Sequence, residues 1–434
     1  MPVPPKTSKP AFETRQIHVG AEPDPGTGAR QVPLFQGNAF MFGSYDRAAR
    51  LFALDELGPI YTRMGNPTVD VFERRIADLE GGVAAVAMAS GQAAETLAIM
   101  NLAVAGDHVV SSPCLYGGSY NNLNRTLRDF GINVTFVEDP DDLDQWKAAI
   151  RPETKLLFAE SIGNPKNNIL DISAVAEIAH AHDVPLVVDN TAATPYLIRP
   201  LEHGADIVVH SASKFLGGHG VVIGGVVVDG GTFDFAAAGD RFPGLTEIDP
   251  SYRLSYWHKF GPGAYAVRMR AHLLRDLGPS MAPFTAWLIL QGMETLSLRM
   301  ERHVHNAQRV AEWLERHPGV ERVNYPGLPS SPWHEAAKRY APLGAGAVFC
   351  FVIHGGLEAG RRLVDATSIF SHAANIGDLR SLILHPATTT HSQLTEEERL
   401  RADVPPGLVR LSIGLENADD LIADLDEAFA SLER

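Results

Sequence analysis

One lysine near the middle of the chain has neighbours that suit it for covalent chemistry. Lys214 lies in the segment HSASKFLGGHG, after Ser211 and Ser213 and before a run of glycines. An amine of this kind can form a Schiff base with a carbonyl compound, whereas a random loop lysine is only solvated. Hydroxyl groups and exposed backbone amides can hold a phosphate. The segment therefore predicts a ligand with both an aldehyde and a phosphate, as in pyridoxal 5'-phosphate.

Two further residues suit a pyridine ring bound at Lys214. Asp189 ends the apolar segment LVVD, one helix-containing crossover before the lysine. A carboxylate facing the ring nitrogen keeps it protonated, so that the ring can accept the electrons of a carbanion. Tyr116, in CLYGGSYN, opens the next predicted helix after a strand, and its ring can stack on the cofactor plane.

A second phosphate-binding feature is predicted earlier in the chain. The segment ASGQAAETLAIM places Ser90, Gly91 and Gln92 at the start of a helix that follows a strand. The free amides and the dipole of a helix N-terminus favour an anion. This segment is therefore predicted to hold the phosphate together with the hydroxyls near Lys214.

These residues must be positioned by a sheet of mostly parallel strands. From about residue 67, short apolar segments alternate with segments of helical periodicity. Such alternation predicts a parallel sheet that is covered by helices on both faces. Ligands of such sheets bind beyond the carboxyl ends of the strands. The polar residues at or just after the predicted strand ends are Ser90, Ser111, Glu160, Asp189 and Ser211.

The 434 residues are predicted to form an arm and two domains. Residues 1–63 are rich in Pro, Gly and polar side chains and are expected to be an extended arm. Residues 64–275 form the predicted large domain. Residues 276–434 are predicted as a smaller α/β domain that shares a long helical region, from about 264 to 316, with the large one.

Composition narrows the class of partner and the compartment. The net charge is −15, from 37 basic and 52 acidic residues, which disfavours nucleic acid and anionic membranes as partners. Only two cysteines occur, so we expect a reducing cytoplasm. The N-terminal MPVPPKTSKP has no apolar core, and the longest apolar run, VVIGGVVV, is too short for a membrane span, so neither a leader nor an anchor is expected. The histidine pairs in HAHD and HVH point apart on a helix, so no metal site is predicted.

Seven segments together resemble the Cys/Met-metabolism family of pyridoxal-phosphate enzymes. They are SGQAA, LYGGSYN, ESIGNP, VVDNTAATP, HSASKFLGGHG, GDLRSLILHPATTTHSQL and VRLSIGLE. The resemblance implies fold type I of the pyridoxal-phosphate-dependent transferases, an α/β fold with a mostly parallel sheet between helices and a smaller C-terminal α/β domain. It also implies a Schiff base between the cofactor and Lys214.

The resemblance implies roles for the other site residues. Lys214, Tyr116 and Asp189 would be catalytic, and the cofactor would also contact Ser90, Gly91, Gln92, Asn164, Ser211 and Ser213. Arg410 would bind the substrate carboxylate, helped by Ser381, Asn164 and Tyr61. The arm segment YTRMGNPT is similar to the one that reaches a neighbouring subunit. Tyr61 and Arg63 would then contact the cofactor phosphate of the partner, which requires a dimer, and a dimer of dimers is expected.

Within the family, the sequence favours γ-replacement over γ-elimination. The stretch from FPGLTEIDPSYRLSYW to LRDLGPSMAPFTAWLILQGMETLSLRMERH is similar to members that act on O-acetylhomoserine. Gly118 stands where methionine γ-lyases resemble LYGC. The expected reaction is O-acetyl-L-homoserine plus sulfide giving L-homocysteine and acetate, in methionine biosynthesis.

Other readings of these residues stay open at this point. An O-succinylhomoserine sulfhydrylase, a cystathionine γ-synthase and a methionine γ-lyase are the alternatives within the family. A cofactor-free Schiff-base lyase would leave Asp189 and the phosphate-binding segments without a role. A catalytically inactive scaffold of the same fold is disfavoured by the intact Lys214, Asp189 and Arg410.

Overall fold

The computed structural model of the protein describes residues 9–390, 392, 395–401 and 403–432. The first eight residues of the expected arm lie outside the described residues. So do three positions of the segment GDLRSLILHPATTTHSQL. The expectation of no leader peptide concerns mostly those first residues and stays a prediction.

A seven-stranded sheet forms the centre of the fold. Its strands are β1 (Ala84–Met88), β2 (His108–Ser111), β3 (Asn133–Phe136), β4 (Thr154–Glu160), β5 (Leu186–Asp189), β6 (Ile207–Ser211) and β7 (Gly225–Asp229). Their order across the sheet is β1-β7-β6-β5-β4-β2-β3. The strands from β6 to β3 pair in parallel, and β7 pairs antiparallel with both β1 and β6. The predicted mostly parallel sheet is therefore confirmed.

Helices cover both faces of this sheet, which is why its strands are apolar on both sides. Val187 and Val188 are neighbours in β5 and face opposite sides, yet both are fully buried, each in a different cluster of the core. Along the chain the helices of this region are α1 (Phe12–His18), α2 (Tyr45–Phe52), α3 (Pro67–Glu80), α4 (Gly91–Met100), α5 (Gly117–Asn121), α6 (Leu127–Asp129), α7 (Leu143–Ala149), α8 (Ile172–His180), α9 (Thr194–Leu197), α10 (Pro243–Thr246), α11 (Tyr256–Phe260), α12 (Ala264–Arg268) and α13 (Arg275–Leu277).

Local signals at the ends of α3 show why these helices begin and stop where they do. The Asn66 side chain accepts a hydrogen bond from the Thr68 amide, and Pro67 occupies the first helical turn. Gly81 ends the helix with a φ of 89°, a left-handed conformation that other residues rarely adopt. The chain can then turn directly into β1.

A second, five-stranded sheet is built from the C-terminal part of the chain. Its strands are β8 (Val320–Asn324), β9 (Val348–Ile353), β10 (Ser371–His372), β11 (Leu382–Leu384) and β12 (Leu408–Ser412), in the order β10-β11-β12-β9-β8. The helices of this part are α14 (Pro283–Met293), α15 (Leu296–Arg316), α16 (His334–Tyr340), α17 (Gly356–Ala366), α18 (Glu396–Arg401) and α19 (Ala418–Leu432). This second sheet agrees with the smaller α/β domain expected from the sequence, whose boundaries remain predictions.

The expected helical region from about 264 to 316 is interrupted. A π-helical turn, Met269–Leu274, follows α12, and α13 ends at Gly278, which has a φ of 81°. A new helix begins only at Pro283. Apolar periodicity alone did not reveal these interruptions because glycine and proline change the backbone without removing the apolar side chains.

The arm is less separate from the rest of its own chain than the sequence suggested. Gln16 of α1 is buried and donates a hydrogen bond to Ser297 Oγ at 2.9 Å. Arg15 forms an ion pair with Asp78 of α3 at 2.7 Å. Residues 19–44, by contrast, form no regular helix or strand. The start of the arm is thus fixed to its own subunit.

Among the described residues, no helix combines the length and the apolar character that a membrane crossing requires.

Candidate active site

A cavity of about 390 Å³ opens at the carboxyl ends of β4, β5 and β6. Its lining also includes residues of β9 and β12 in the second sheet and of the loop between β10 and β11. Small-molecule sites usually occupy about 300–1,000 Å³. Of the residues predicted from the sequence, the wall contains Ser90, Gly91, Gln92, Tyr116, Asn164, Asp189, Ser211, Ser213, Lys214 and Arg410. The fold therefore brings residues that are up to 320 positions apart into one site.

Lys214 lies in the turn that follows β6. Its amide donates to the carbonyl of Ser211 at 3.2 Å, and its Nζ donates to Asn375 Oδ1 at 2.5 Å. Burial lowers the pKa of Lys214, and the nearby charge of Arg410 lowers it further. A lowered pKa increases the fraction of the neutral amine, which is the form that attacks a carbonyl carbon.

Asp189 is the last residue of β5 and reaches the same cavity. Its Oδ1 accepts a hydrogen bond from the Thr191 amide at 2.8 Å. Burial raises the pKa of Asp189, and the hydrogen bonds from Thr191 oppose this rise. A cation placed opposite the carboxylate, such as a protonated ring nitrogen, would favour its charged form.

The start of α4 forms a cradle for an anion. Ser90 Oγ accepts from the Ala93 amide at 3.1 Å, which caps the helix and leaves the first amides directed at the cavity. A Cβ atom added to Gly91 would lie 2.6 Å from Ser211 Cβ, so only glycine fits between the helix and the end of β6. Ser213 Oγ accepts from the Gly224 amide at 2.9 Å and lines the same wall.

Tyr116 also lines the cavity, is half exposed, and lies just before α5. Its amide donates to Glu160 Oε1 at 2.5 Å, which ties the start of α5 to the end of β4. A side chain at position 118 would overlap the Tyr116 ring. Gly118 therefore allows the ring to take this position over the backbone.

Arg410 lies in the middle of β12, between β9 and β11, and is only 7% exposed. Its Nη1 donates to Asn164 Oδ1 at 3.5 Å. Within the described part of the chain, no carboxylate lies at ion-pair distance from this guanidinium. A buried guanidinium that reaches a cavity without a carboxylate partner is suited to bind the carboxylate of a ligand.

Three predicted site residues do not lie on the cavity wall. The Ser381 hydroxyl donates to Glu416 Oε2 at 2.9 Å and accepts from the Gly414 amide at 2.8 Å, so its hydrogen-bonding capacity is used inside the protein. In this structure Ser381 thus makes structural contacts next to β12, and its expected contact with substrate stays a prediction. Tyr61 and Arg63 lie outside the cavity of their own subunit. Arg63 instead donates to the carbonyl of Arg275.

Asn375 and Glu95 are among the wall residues that sequence reasoning missed, and it gave Glu160 no role. Asn375 holds the amine of Lys214, but it lies in a loop without a recognisable pattern. Glu95 is 1% exposed within α4, and Glu160 ends β4 beside Asp189. A signal for Glu95 was present in the sequence, because this single charge stands in a helix that is apolar on most sides.

The wall residues fit pyridoxal phosphate. The Lys214 amine matches the aldehyde of the cofactor, and the Asp189 carboxylate matches its ring nitrogen. The Tyr116 ring matches the ring plane, and the N-terminus of α4 matches the phosphate. The close approach of Gly91 to Ser211 leaves bare backbone where the phosphate would be held. In addition, Asn167 lines the cavity with a buried Oδ1 that has no partner among the described residues.

Comparison with known proteins gives the same result. The family model described as "Cys/Met metabolism PLP-dependent enzyme" matches residues 13–430. An O-acetyl-L-homoserine sulfhydrylase of Leptospira meyeri is 51% identical over 438 residues, covering 99% of this chain and 98% of the relative. One of Corynebacterium glutamicum is 50% identical over 424 residues, covering 97% of each chain.

A solved structure is also similar to the whole chain. It is a Campylobacter jejuni protein assigned as an O-acetylhomoserine (thiol)-lyase, with a TM-score of 0.93 and 42% identity, covering 96% of this chain and 99% of its own. That protein carries pyridoxyl-lysine phosphate. With the matched family model spanning nearly all residues, the chain belongs to the Cys/Met metabolism family of pyridoxal-phosphate-dependent enzymes.

Proposed function

We propose that the protein converts O-acetyl-L-homoserine and sulfide into L-homocysteine and acetate, a γ-replacement in methionine biosynthesis. The observation that carries the proposal is that one cavity contains Lys214, Asp189, the start of α4 and the buried Arg410. The sulfhydrylase relatives of about 50% identity support the choice of substrate.

Arg410 binds and orients the amino-acid substrate. Its guanidinium is held in the middle of a strand, so a substrate carboxylate can be fixed by two parallel hydrogen bonds. Asn164, which already accepts from Arg410 Nη1, limits the directions in which the guanidinium can turn. The α-amino group and Cα of the substrate are then directed toward Lys214.

Lys214 moves the protons of the reaction. Pyridoxal phosphate, when bound, supplies the electron sink for a carbanion at the substrate Cα. Lys214 Nζ takes the proton from Cα, would pass it to the bound cofactor, and as a neutral amine again takes one from Cβ. The C–O bond at Cγ then breaks, and acetate leaves with the bonding electrons. Sulfide forms the new C–S bond at Cγ, and protons return to Cβ and Cα.

Tyr116 and Asp189 hold the reacting groups in place. Asp189 would face the ring nitrogen of the cofactor, and the Tyr116 ring would cover the ring plane. The phosphate would be bound by the first amides of α4 together with Ser211 and Ser213. A Cβ at position 118 would lie too close to the Tyr116 ring, so the cysteine that methionine γ-lyases resemble there would require the ring to shift. The glycine therefore weakens the γ-lyase alternative.

The complete site is proposed to need a second subunit. Tyr61 and Arg63 would cross to the partner and contact its cofactor phosphate, and the assembly would be a dimer of dimers. In support, the arm exposes large apolar side chains, including Met41 at 93% and Tyr45 at 86%. Such exposed apolar surface is typical of an interface.

We also propose a cytoplasmic location. Both cysteines, Cys114 and Cys350, are free thiols in the fold. Free thiols and the absence of a disulfide between them agree with a reducing compartment.

A substrate comparison tests the function. The purified holoenzyme is given O-acetyl-L-homoserine, O-succinyl-L-homoserine, cystathionine or methionine, each with and without sulfide. We expect homocysteine from the first substrate only when sulfide is present. Preference for the succinyl ester, or release of 2-oxobutyrate from methionine without sulfide, would contradict the proposal and indicate one of the alternatives.

A further inference from the structure

Three carboxyl groups line the same cavity. Asp189 ends β5, and Glu160 ends β4 directly beside it in the register of the two strands. Glu95 projects from α4 into the same wall and is 1% exposed. The mechanism gives a role to Asp189 alone, so the two glutamates require their own explanation.

Both glutamates bind the segment that presents Tyr116. Glu160 Oε1 accepts from the Tyr116 amide at 2.5 Å, and Glu95 Oε1 accepts from Asn122 Nδ2 at 2.9 Å. Asn122 begins the π-helical turn, Asn122–Thr126, that continues α5. The two contacts therefore hold the first and last residues of one short segment, whose first residue is the proposed ring cover of the cofactor.

Three adjacent carboxylates cannot all be charged in such a site, because like charges in a poorly solvated space raise one another's pKa. Burial raises the pKa of Glu95 to about 7, and the charge of Asp189 adds to this rise. Burial and then the charge of Asp189 raise the pKa of Glu160 well above its usual value. Burial raises the pKa of Asp189 as well, but hydrogen bonds from Thr191 and the nearby His210 oppose this rise, and no neighbouring carboxylate adds to it.

The other charged groups around the cavity do not change this order. Lys214 bonds to Asn375, and Arg410 faces Asn164. His210 lies on β6 at 2.6 Å from the buried Glu80 and lowers the pKa of Asp189. Each of these groups favours charge on Asp189 or contacts a partner other than the two glutamates. Cys114, near Glu160, has a pKa raised to about 12 by burial and is neutral.

We propose that Glu160 holds a proton at neutral pH, that Glu95 takes one up near neutrality, that Asp189 keeps the negative charge, and that both glutamates act as positioning residues for the Tyr116 segment. The proposal rests on the roles given above to Asp189 and Tyr116. A protonated carboxyl has one acceptor and one donor, as an amide side chain has. Glutamine at either position should therefore preserve the arrangement, whereas alanine should release the segment.

The cofactor-free protein gives a test that does not depend on turnover. A carboxyl whose pKa is raised in the fold stabilises the protein at low pH and loses that contribution as pH rises through its folded pKa. We therefore expect the Tm of Glu95→Gln, relative to wild type, to increase by about 2–4 °C between about pH 5 and pH 8. A difference that stays flat or decreases would show that Glu95 is ionised throughout and would overturn the proposal.

Asp229 provides a matched control. It is another buried carboxyl that accepts backbone hydrogen bonds, and burial raises its pKa to about 7, but it lies at the opposite end of the sheet from the cavity. Asp229→Asn should show the same pH-dependent gain in Tm. It should leave kcat and KM unchanged. The control therefore distinguishes the effect of any buried, protonated carboxyl on stability from the positioning role at the active site.

The holoenzyme tests the positioning role. We expect Glu160→Ala to lower kcat about 10–100-fold with a smaller change in KM, and Glu160→Gln to recover kcat to within about 3-fold of wild type. Equal loss in both variants would show that a charged carboxylate is needed and would contradict the proposal. If wild type fails to turn over O-acetyl-homoserine while the Tm results hold, the substrate assignment is wrong and the carboxyl arrangement stands.

Discussion

Lys214 and Asp189 are groups of opposite charge type in one cavity, yet the lysine bonds to Asn375 rather than to the carboxylate. An ion pair between them would neutralise both groups. Keeping them apart leaves the amine for a carbonyl carbon and the carboxylate for a cationic ring nitrogen. The glycines and serines around Lys214 are small, so they leave room beside the amine for a ligand.

Replacement of Lys214 tests the role of its amine. Lys214→Ala should lower kcat by at least about 10³-fold because the same amine moves two protons. The Tm should change little, since the side chain makes a single hydrogen bond. The control is Lys147→Ala, which changes an exposed lysine and should have the kcat and Tm of wild type. Turnover by Lys214→Ala above a tenth of wild type would contradict the assignment.

Arg410 should act mainly on substrate affinity. Removing one partner of a buried charge pair costs about 2–5 kcal/mol, so Arg410→Ala should raise KM for the amino acid by about 30-fold or more. Arg410→Lys should recover only part of this loss, because an ammonium group cannot form two parallel hydrogen bonds. Steady-state kinetics at saturating sulfide measure both effects. An unchanged KM in the alanine variant would remove Arg410 from the substrate site.

The residues that could be predicted from the sequence are those whose chemistry is local. Lys214, Asp189 and Gly91 follow strands or open helices in patterns that carry their own physical reason. Glu95 was visible only as a single charge in an apolar helix, and neither its partner Asn122 nor the role of Asn375 could be assigned, because only the folded chain brings these segments together. Ser381 was given a substrate contact, but Glu416 and Gly414 occupy its hydroxyl.

At the scale of elements, the site depends on how closely α4 approaches the end of β6. A Cβ on Gly91 would lie 2.6 Å from Ser211 Cβ, so Gly91→Ala must displace the helix start or the strand end. We expect the dissociation constant for pyridoxal phosphate to rise about 10-fold or more, measured by absorbance titration of the cofactor-free protein. Gly263→Ala, where a Cβ meets open space, is the control and should bind normally. Equal affinities of the two variants would show that the cradle is elsewhere.

Element type was predictable where apolar periodicity was regular, and less so where the backbone was interrupted. β4, β5 and β6 follow from short apolar runs that end in polar residues. The helical region after about residue 264 was expected to be continuous, but Gly278 and Pro283 divide it. The antiparallel pairing of β7 was also not evident, because an apolar run gives no direction for its partner strand.

At the scale of the whole molecule, each active site is proposed to draw Tyr61 and Arg63 from a second subunit. Lys214→Ala and Arg63→Ala should then each be poorly active alone. When the two are unfolded together and refolded as a mixture, heterodimers would contain one site without either change, and about a quarter of wild-type activity should return. Light scattering should first show that the mixture is dimeric or larger. If activity then fails to return, Arg63 acts in the active site of its own subunit, which would contradict the proposal.

The central claim is that one lysine holds the cofactor covalently. The holoenzyme is treated with borohydride, digested, and its peptides are analysed by mass spectrometry for a pyridoxyl phosphate adduct. We predict the adduct on the peptide that contains Lys214, and none after prior removal of the cofactor. An adduct carried mainly by another lysine, with the Lys214 peptide unmodified, would contradict the account.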